Sequence, residues 1–541
     1  MIKNNFIVSM LLLGALPVSS FAENSPWDNR PATKRQIQSV IEYLGSDHLE
    51  GRSPGTRGGE LAEEYMRSVF KLLDFEPYGE DYFQEFTLAG YLTRELRIEA
   101  SGTELRTGED VVGTYTGDSD AFELSGGAVF AGYGIDSEGW DWDDYKGASV
   151  KDRVVIVRVN EPGRGGTQGE DGSPDTEEDR SLFEGPALTY YGRWTYKIEE
   201  AARRGALAIL LVHTDETAGY GWHVVRNSWS GEELFLPSTV EDSLVFRGWI
   251  REERLRGILD RADISLDDLN RASESRSFEP VDLGFDIAIV GISDRRSFTT
   301  RNVVGCIGAH GQSSDKPAVL LSAHIDHLGR NEVLEGDCIF NGAIDNGSAV
   351  ASMVITAKIL KERQHRLAYP VIVLACEAEE SGLLGSRYFA EHIDPENVLC
   401  NINFESTPVW GPARSIMAVG ARYSSLEDIL KEILEDRGLG YSYFSLSEQG
   451  FFYRSDQFSF ARRGIPSIWI SAGEDFTDGT NHLGNFFKGG AYHTVDDEYD
   501  PGWELESTMQ TIEAAVRLVE YVNTDRPSIE WKGRMTFPVE R

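Results

Sequence analysis

Three short, largely apolar runs, each followed by charged residues, stand out in the second half of the sequence. They occupy positions 318–321, 371–375 and 398–402 and contain several β-branched residues. Apolar runs of this length predict strands that are buried on both faces of a sheet. Between the runs, apolar residues recur at helical spacing after position 345 and again after position 383. The alternation predicts an α/β fold, with a mostly parallel mixed sheet flanked by helices.

Short polar segments follow the predicted strands, and each carries a histidine or a carboxylate. Binding sites in such sheets collect beyond the carboxyl ends of the strands. The segments are His324-Ile325-Asp326-His327, Asp345-Asn346-Gly347-Ser348, Glu379-Glu380-Ser381-Gly382, Asn403-Phe404-Glu405 and, far downstream, Tyr492-His493-Thr494. We therefore expect side chains that are distant in the sequence to meet at one rim of the sheet.

The polar segments supply the ligand types that zinc prefers. Two histidines with several carboxylates suit zinc, with manganese or cobalt as alternatives. The two oxygens of Asp345 could bridge two ions. Glu379 and Glu380 point to opposite sides of an extended chain, so one could bind metal while the other faces a substrate as a base. Two ions would polarise a carbonyl and acidify a water, whose proton the base would pass to a leaving amine.

The five segments, in this order, resemble those of the M28 family of zinc peptidases. The resemblance spans nearly the whole chain beyond its first residues and implies two Zn²⁺ ions per chain. The metal ligands that it implies are His324, Asp345, Glu380, Glu405 and His493. Asp345 would bridge the ions, with His324 and Glu405 on one ion and Glu380 and His493 on the other. The resemblance also implies that Glu379 is the general base and that Asp326 orients His324.

The chain departs from the family pattern at two positions, and three further residues have open roles. Glu405 stands where many members have Asp, and Gln457 stands where many have His. The Tyr492 hydroxyl could hydrogen-bond the developing oxyanion, or the ring could simply pack on the wall of the site. Arg454 and Asp456 could position a peptide terminus or form a surface ion pair.

Between positions 100 and 272 the pattern changes to short strands separated by glycine-rich turns. Residues 191–193 and 201–206 resemble a protease-associated (PA) domain, a small β-rich module inserted in many M28 peptidases. More than one domain is expected in a chain of 541 residues. The predicted organisation is a signal peptide at 1–22, an N-terminal part of the peptidase domain at 23–99, a PA-like insert at 100–272 and the main peptidase domain at 273–541.

Residues 1–22 have the features of a secretory signal. Lys3 precedes an apolar stretch from Phe6 to Val18, and Ser20-Phe21-Ala22 fits a cleavage site. The alternative is an uncleaved membrane anchor, but the stretch is short for a membrane span. We therefore expect a secreted or periplasmic protein with no membrane attachment after cleavage. The formal net charge of −37 argues against nucleic acid as a partner.

The polar segments and the family resemblance together favour a di-zinc metallo-exopeptidase, and the resemblance implies an aminopeptidase that acts on peptides. Glu379 and Glu405 would hold the cationic α-amino group of the substrate. A carboxypeptidase on the same fold and a glutaminyl-cyclase-like aminoacyltransferase, which typically uses one zinc, are the alternatives. A catalytically inactive binding module is a third, which the intact Glu379 disfavours. Residue specificity, the native metal, the oligomeric state, the pairing of Cys306 with Cys338 and the role of the insert stay open.

Overall fold

The structure is a computed structural model, and the elements below are those of its described residues. These residues are 30–163, 182–185, 187–218, 221–237, 244–308, 316–331, 334–435, 438–446 and 449–540. The predicted signal peptide at 1–22 lies outside them, so its cleavage stays a prediction.

Helices and strands alternate along much of the chain. The helices are α1 (Arg30–Leu44), α2 (Arg57–Leu72), α3 (Trp194–Arg203), α4 (Asp215–Ala218), α5 (Trp222–Ser228), α6 (Glu252–Arg261), α7 (Leu266–Ala272), α8 (Ala349–Glu362), α9 (Leu384–His392), α10 (Leu426–Glu435), α11 (Gln457–Arg462), α12 (His482–Phe487) and α13 (Glu506–Asp525). The strands are β1 (Glu76–Pro77), β2 (Phe83–Ala100), β3 (Thr103–Leu105), β4 (Val111–Tyr115), β5 (Ala121–Phe130), β6 (Asp136–Ser137), β7 (Trp142–Asp143), β8 (Val154–Arg158), β9 (Ala208–His213), β10 (Glu233–Phe235), β11 (Phe246–Arg251), β12 (Val281–Ile307), β13 (Ala318–His324), β14 (Gly329–Arg330), β15 (Ile339–Phe340), β16 (Val371–Cys376), β17 (Val398–Asn403), β18 (Ser415–Val419), β19 (Gly440–Ser442) and β20 (Ser467–Ala472).

The three apolar runs of the second half form neighbouring strands, as predicted. β13 pairs in parallel with β16 on one side and with β17 on the other, and β17 pairs in parallel with β20. The carboxyl-terminal end of β12 lies antiparallel to β16, and β18 lies antiparallel to β20. The result is the predicted mixed, mostly parallel sheet.

Helices cover both faces of this sheet, because alternate residues of β13 enter two different apolar cores. Val319 and Leu321 pack in the core that also contains residues of α1, α8 and α13. Leu320 packs in a second core with Phe389 of α9 and Phe460 of α11. Burial on both faces explains why the strand is a continuous apolar run rather than an alternating one.

Two long strands join the region 100–272 to the mixed sheet of the second half of the chain. β12 is 27 residues long and β2 is 18 residues long, and the two pair as an antiparallel ribbon. The amino-terminal half of β12 also pairs with β5, and β5, β8, β9 and β11 then continue in parallel. This region has its own apolar cores. Its identification as a PA domain stays a prediction.

The four cysteines form no disulfide in the described part of the chain, and the described helices do not provide a membrane span. Cys306, Cys376 and Cys400 are buried, and Cys338 is partly exposed. The open question of a bridge between Cys306 and Cys338 is therefore answered in this structure by the absence of a disulfide between them. None of the described helices combines the length and the apolar character that crossing a bilayer requires.

Candidate metal centre

The predicted ligands meet at the carboxyl ends of the central strands. His324 ends β13, Glu379 and Glu380 follow β16, and Glu405 follows β17. Asp345 lies in the irregular helical turn that leads into α8, next to a cis peptide bond with Asn346. His493, on the loop between α12 and α13, reaches the same rim. The parallel topology therefore brings together residues up to 169 positions apart in the sequence.

Asp345 lies between two histidines, with one carboxylate oxygen facing each. Its Oδ1 is 3.4 Å from His324 Nε2, which in turn lies 3.4 Å from Glu405 Oε1. Its Oδ2 is 3.2 Å from His493 Nε2, which lies 3.1 Å from Glu380 Oε2. The five side chains thus form two halves that share Asp345.

The spacing of these atoms fits ligands arranged around cations. Two ligand atoms about 2.0–2.2 Å from a tetrahedral zinc lie roughly 3.3–3.5 Å apart, close to the distances found in both halves. The Oδ2 of Asp345 and the Nε2 of His493 are also buried without a hydrogen-bond partner among the described residues. Buried polar atoms are normally satisfied, so a partner of another kind is indicated. The residues present therefore fit metal ions bound among them.

The charges of the site favour cations at the two histidines. Burial alone would lower the pKa of His493, but the carboxylates of Glu380 and Asp345 raise it to about 10. The pKa of His324 is likewise raised well above its usual range, because Glu405 and Glu379 outweigh its burial. A position that stabilises a proton on imidazole through surrounding carboxylates also stabilises a metal ion there.

The two adjacent glutamates differ in their pKa values. Burial raises the pKa of Glu379 well above its usual range, and Glu405 and Glu380 add to the shift. Burial would also raise the pKa of Glu380, but His493 lowers it to about 2. One carboxyl is therefore suited to holding a proton and the other to binding a cation, a division typical of acid–base sites.

Asp326 connects the first histidine to the glutamate pair. It is fully buried, and its carboxylate accepts hydrogen bonds from the N–H groups of Glu379 (3.0 Å) and Glu380 (3.2 Å). The Nδ1 of His324 lies 3.2 Å from the backbone oxygen of Asp326 and 3.6 Å from the Asp326 carboxylate. One side chain thus fixes the backbone of the pair and faces the ring of the histidine.

Two polar side chains fasten the turn that carries Asp345. The side-chain oxygen of Asn346 accepts a hydrogen bond from the Ser406 N–H (2.9 Å), beside Glu405. Asp497, four residues after His493, accepts hydrogen bonds from the Asp345 N–H (2.9 Å) and from its neighbour Ile344 (2.8 Å). The turn is thereby tied to both of the loops that supply the outer residues of the site.

The two residues that depart from the family pattern, Glu405 and Gln457, are both held by hydrogen bonds. Glu405 accepts hydrogen bonds from the hydroxyls of Ser455 (2.7 Å) and Ser406 (3.1 Å). The side-chain oxygen of Gln457 accepts from Asn403 (3.0 Å), and its amide donates to a backbone oxygen of the preceding loop. Gln457 thus supports the loop that holds Glu405 rather than joining the ligand group.

His327 lies against the candidate metal centre, although it would face away if the segment after His324 were extended. Its side chain is buried, and its Nδ1 lies 2.7 Å from Glu380 Oε1. The segment is not extended, because β13 ends at His324 and the chain turns afterwards. The sequence offered only the adjacency of His327 to Asp326 as a signal.

The turn around Arg52 is a second feature whose role the sequence did not reveal. Arg52 is completely buried, and its guanidinium donates hydrogen bonds to the backbone oxygens of Ile325 (2.8 Å), Gly342 (3.1 Å), Leu44 and Asn341. Ile325 follows His324, and Gly342 precedes the turn of Asp345. A residue of the amino-terminal segment therefore joins the two loops that hold the first half of the site.

Tyr492 and Arg454 line a cavity beside the site. The Tyr492 ring stacks on His493 with centroids 3.9 Å apart, and it also packs against Phe487. Both of its predicted roles remain open, because the ring is part of the wall and also adjoins the ligand group. Asp456 is fully buried, so the surface ion pair with Arg454 is the wrong alternative.

Comparison with known proteins gives a family match over part of the chain and similarities of low sequence identity to solved structures. The sequence model of Peptidase family M28 matches residues 302–518. The vacuolar membrane protease of Yarrowia lipolytica is 29% identical over 134 residues, which cover 24% of this chain and 13% of that protein. The aminopeptidase from Aneurinibacillus sp. strain AM-1 is 16% identical with a TM-score of 0.49, covering 94% of this chain and 98% of that one. BSAP, a zinc aminopeptidase from Bacillus subtilis, is 16% identical with a TM-score of 0.42, covering 90% and 94%.

Proposed function

We propose that this chain, whose residues 302–518 match the model of peptidase family M28, is a di-zinc aminopeptidase that removes N-terminal residues from peptides. The family match supports a metallopeptidase. The proposal adds the number of metal ions and the end of the peptide that is attacked. The observation that carries the proposal is the pair of half-sites around Asp345, each with one histidine and one glutamate. We also propose a secreted or periplasmic location, on the basis of the signal-like residues 1–22.

Each half of the site would hold one ion, and the residues around it would keep the ligands in place. His324 and Glu405 would bind on one side, Glu380 and His493 on the other, and Asp345 would serve both. Zinc bound there supplies a polarised scissile carbonyl and a water of lowered pKa. Asp326 would hold the His324 ring, as carboxylates commonly do for zinc-bound histidines.

Glu379 would move the proton that hydrolysis requires. Its Oε2 lies 3.9 Å from His324 Nε2, so its carboxylate lies beside the half that His324 and Glu405 form. It would accept a proton from the attacking water as the oxygen bonds to the acyl carbon. As the C–N bond breaks, it would deliver that proton to the leaving nitrogen, and a peptide amine and a free amino acid would result.

The amino group of the substrate would bind to carboxylate oxygens that the ions leave available. Glu379 and Glu405 border the same space and lie in a strongly acidic chain. A protonated α-amine would form charge-assisted hydrogen bonds with them. Tyr492, which lines the adjoining cavity, could donate its hydroxyl proton to the developing oxyanion.

The enzyme is expected to cleave aminoacyl p-nitroanilides but not their N-acetylated counterparts, and chelation should abolish the cleavage. Acetylation removes the cationic amine, and chelation removes the ions that activate water. Release of nitroaniline is measured before chelation, after it and after zinc is restored. Cleavage of neither substrate by protein with two ions bound would contradict an aminopeptidase. C-terminal hydrolysis and loss of amine from N-terminal glutamine would then be measured, to detect a carboxypeptidase or a cyclase.

Replacing His327 with alanine is expected to weaken binding of one ion by about 10- to 100-fold, as loss of a residue that supports a ligand typically does. The variant loses the 2.7 Å contact that holds Glu380. Metal content after dialysis should fall from two ions per chain to one. His482→Ala is the matched control, because His482 pairs with Asp478 on the surface. Unchanged affinity for both ions in the His327 variant would show that Glu380 is held without it.

A further inference from the structure

A cavity of about 480 Å³ opens beside the candidate metal centre, and two parts of the chain enclose it. Glu379, Glu380 and His493 line it on the metal side. Trp229 and Phe235, from the region 100–272, line the opposite wall. Its volume lies within the range of small-molecule pockets, about 300–1,000 Å³. A substrate held at the metal centre would extend into this space, and the insert would limit its length.

The cavity wall is rich in arginine, although the chain as a whole is strongly acidic. The arginines that line it are Arg193, Arg247, Arg387, Arg454, Arg462 and Arg463. Guanidinium groups bind carboxylates through paired, charge-assisted hydrogen bonds, and they are common where planar anions are recognised. The wall therefore offers anion-binding groups within the same cavity as the acidic metal centre.

The contacts of three of these arginines show structural roles. Arg387 pairs with Glu391 at 3.1 Å, and Arg462 pairs with Glu199 at 2.7 Å and with Glu540. The guanidinium of Arg247 lies 3.7 Å from the centre of the Phe235 ring and 3.9 Å from Glu233. Their charges are thus neutralised or stacked within the wall, so they have structural roles.

Arg463 differs from these three. Its side chain is half-buried, and its Nε is shielded from solvent without a hydrogen-bond partner in the described part of the chain. Nor does its guanidinium form an ion pair with any described residue. A cation taken out of water without a counter-ion is costly, so a ligand anion would stabilise it.

Arg454 places a second guanidinium in the wall close to the ligand group. It directly precedes Ser455, whose hydroxyl donates to Glu405. Its guanidinium lies 4.9 Å from the centre of the Phe451 ring. Consecutive Cα atoms are about 3.8 Å apart, so the Arg454 backbone borders the metal centre while its side chain faces the cavity.

We propose that the substrates are short peptides, and that Arg463, assisted by Arg454, binds their free C-terminal carboxylate. This inference rests on the proposed aminopeptidase function. A short peptide carries a cationic amine at one end and an anionic carboxylate at the other. The metal side of the cavity offers carboxylates to the amine, and in the wall, where glutamates such as Glu199 and Glu391 pair with other arginines, Arg463 offers a guanidinium to the carboxylate. An extended chain spans about 3.3–3.6 Å per residue, so the two terminal charges of a tripeptide lie about 10 Å apart.

The test compares trialanine with trialanine amide, which differ only in the terminal charge. Amidation is expected to lower kcat/KM by roughly 10- to 100-fold in the parent enzyme, the value of one charged hydrogen-bonded contact. In Arg463→Gln the difference should nearly disappear, because the free acid loses its partner. Arg387→Gln is the matched control, since its guanidinium is already paired with Glu391, and it should keep the full difference.

The outcomes separate this inference from the function on which it rests. Equal kcat/KM values for both peptides in the parent enzyme overturn the inference and leave the aminopeptidase intact. Cleavage of neither peptide nor of any aminoacyl p-nitroanilide overturns both. Recovery of the rate with Ala-Glu-Ala amide supports carboxylate binding in the cavity and assigns it to an acidic side chain. The parent comparison decides the question even if the Arg463 variant does not fold, which circular dichroism would reveal.

Discussion

Glu379→Gln is expected to lower kcat by about 10²- to 10⁴-fold, the usual contribution of a general base. Glutamine has nearly the shape of glutamate, so the packing around this buried position should persist. It cannot accept the proton of the attacking water, and the two nearby carboxylates Glu380 and Asp345 are unsuited to replace it. Glu380 has a pKa near 2 because of His493, and Asp345 is held well below its usual range by both histidines despite its burial.

The decisive measurement combines steady-state kinetics with metal analysis of the same preparation. The Glu379 variant should retain two ions per chain and a KM close to that of the parent, because it changes proton transfer and not the ligands. Glu391→Gln is the matched control, since Glu391 also lines the cavity but pairs with Arg387. Parent-like kcat in a fully loaded Glu379 variant would exclude Glu379 as the base. A loss of metal would instead assign Glu379 to the ligand group.

Much of the fold and the predicted ligand group could be read from local patterns. β13 and β16 are buried on both faces, so their sequences are almost wholly apolar, and this pattern predicts the two strands. The rule that sites lie beyond the carboxyl ends of such strands then locates His324 and Glu380 without knowledge of distances. These predictions succeed because each depends on a few neighbouring residues and on a general property of parallel sheets.

The supporting contacts could not be predicted, because they depend on where distant loops come to lie. His327 contacts Glu380 only because the chain turns after β13. The arginine-lined cavity exists only because Trp229, in the region 100–272, and Arg463, far downstream, come to line the same space. Neither relation leaves a periodic pattern in the sequence. The same is true of Arg52, which acts on carbonyl groups up to 290 positions away.

Arg52→Met is expected to lower the free energy of unfolding by about 3–5 kcal/mol, the usual cost of removing one member of a buried charged network. The guanidinium serves four backbone oxygens, and methionine fills its volume without a donor. Each buried carbonyl left without a donor costs about 1–3 kcal/mol. Burial lowers the pKa of Arg52, but Asp326, Asp497 and Asp345 oppose the shift. The variant would thus also remove one cation from the neighbourhood of these carboxylates.

Urea unfolding of the metal-free protein measures the free energy of unfolding of Arg52→Met without the contribution of bound ions. Arg57→Met is the matched control, because Arg57 is exposed and pairs only with Glu60, and a change within about 0.5 kcal/mol is expected there. Arg52→Lys should recover only part of the loss, since one ammonium cannot reach carbonyl groups on three separate segments in a fixed fork. If Arg52→Met unfolds like the parent, the two loops are held by packing alone. A large loss in both Arg52 variants, with Arg57→Met unchanged, would show that the forked geometry of the guanidinium, and not its charge alone, joins the loops of His324 and Asp345.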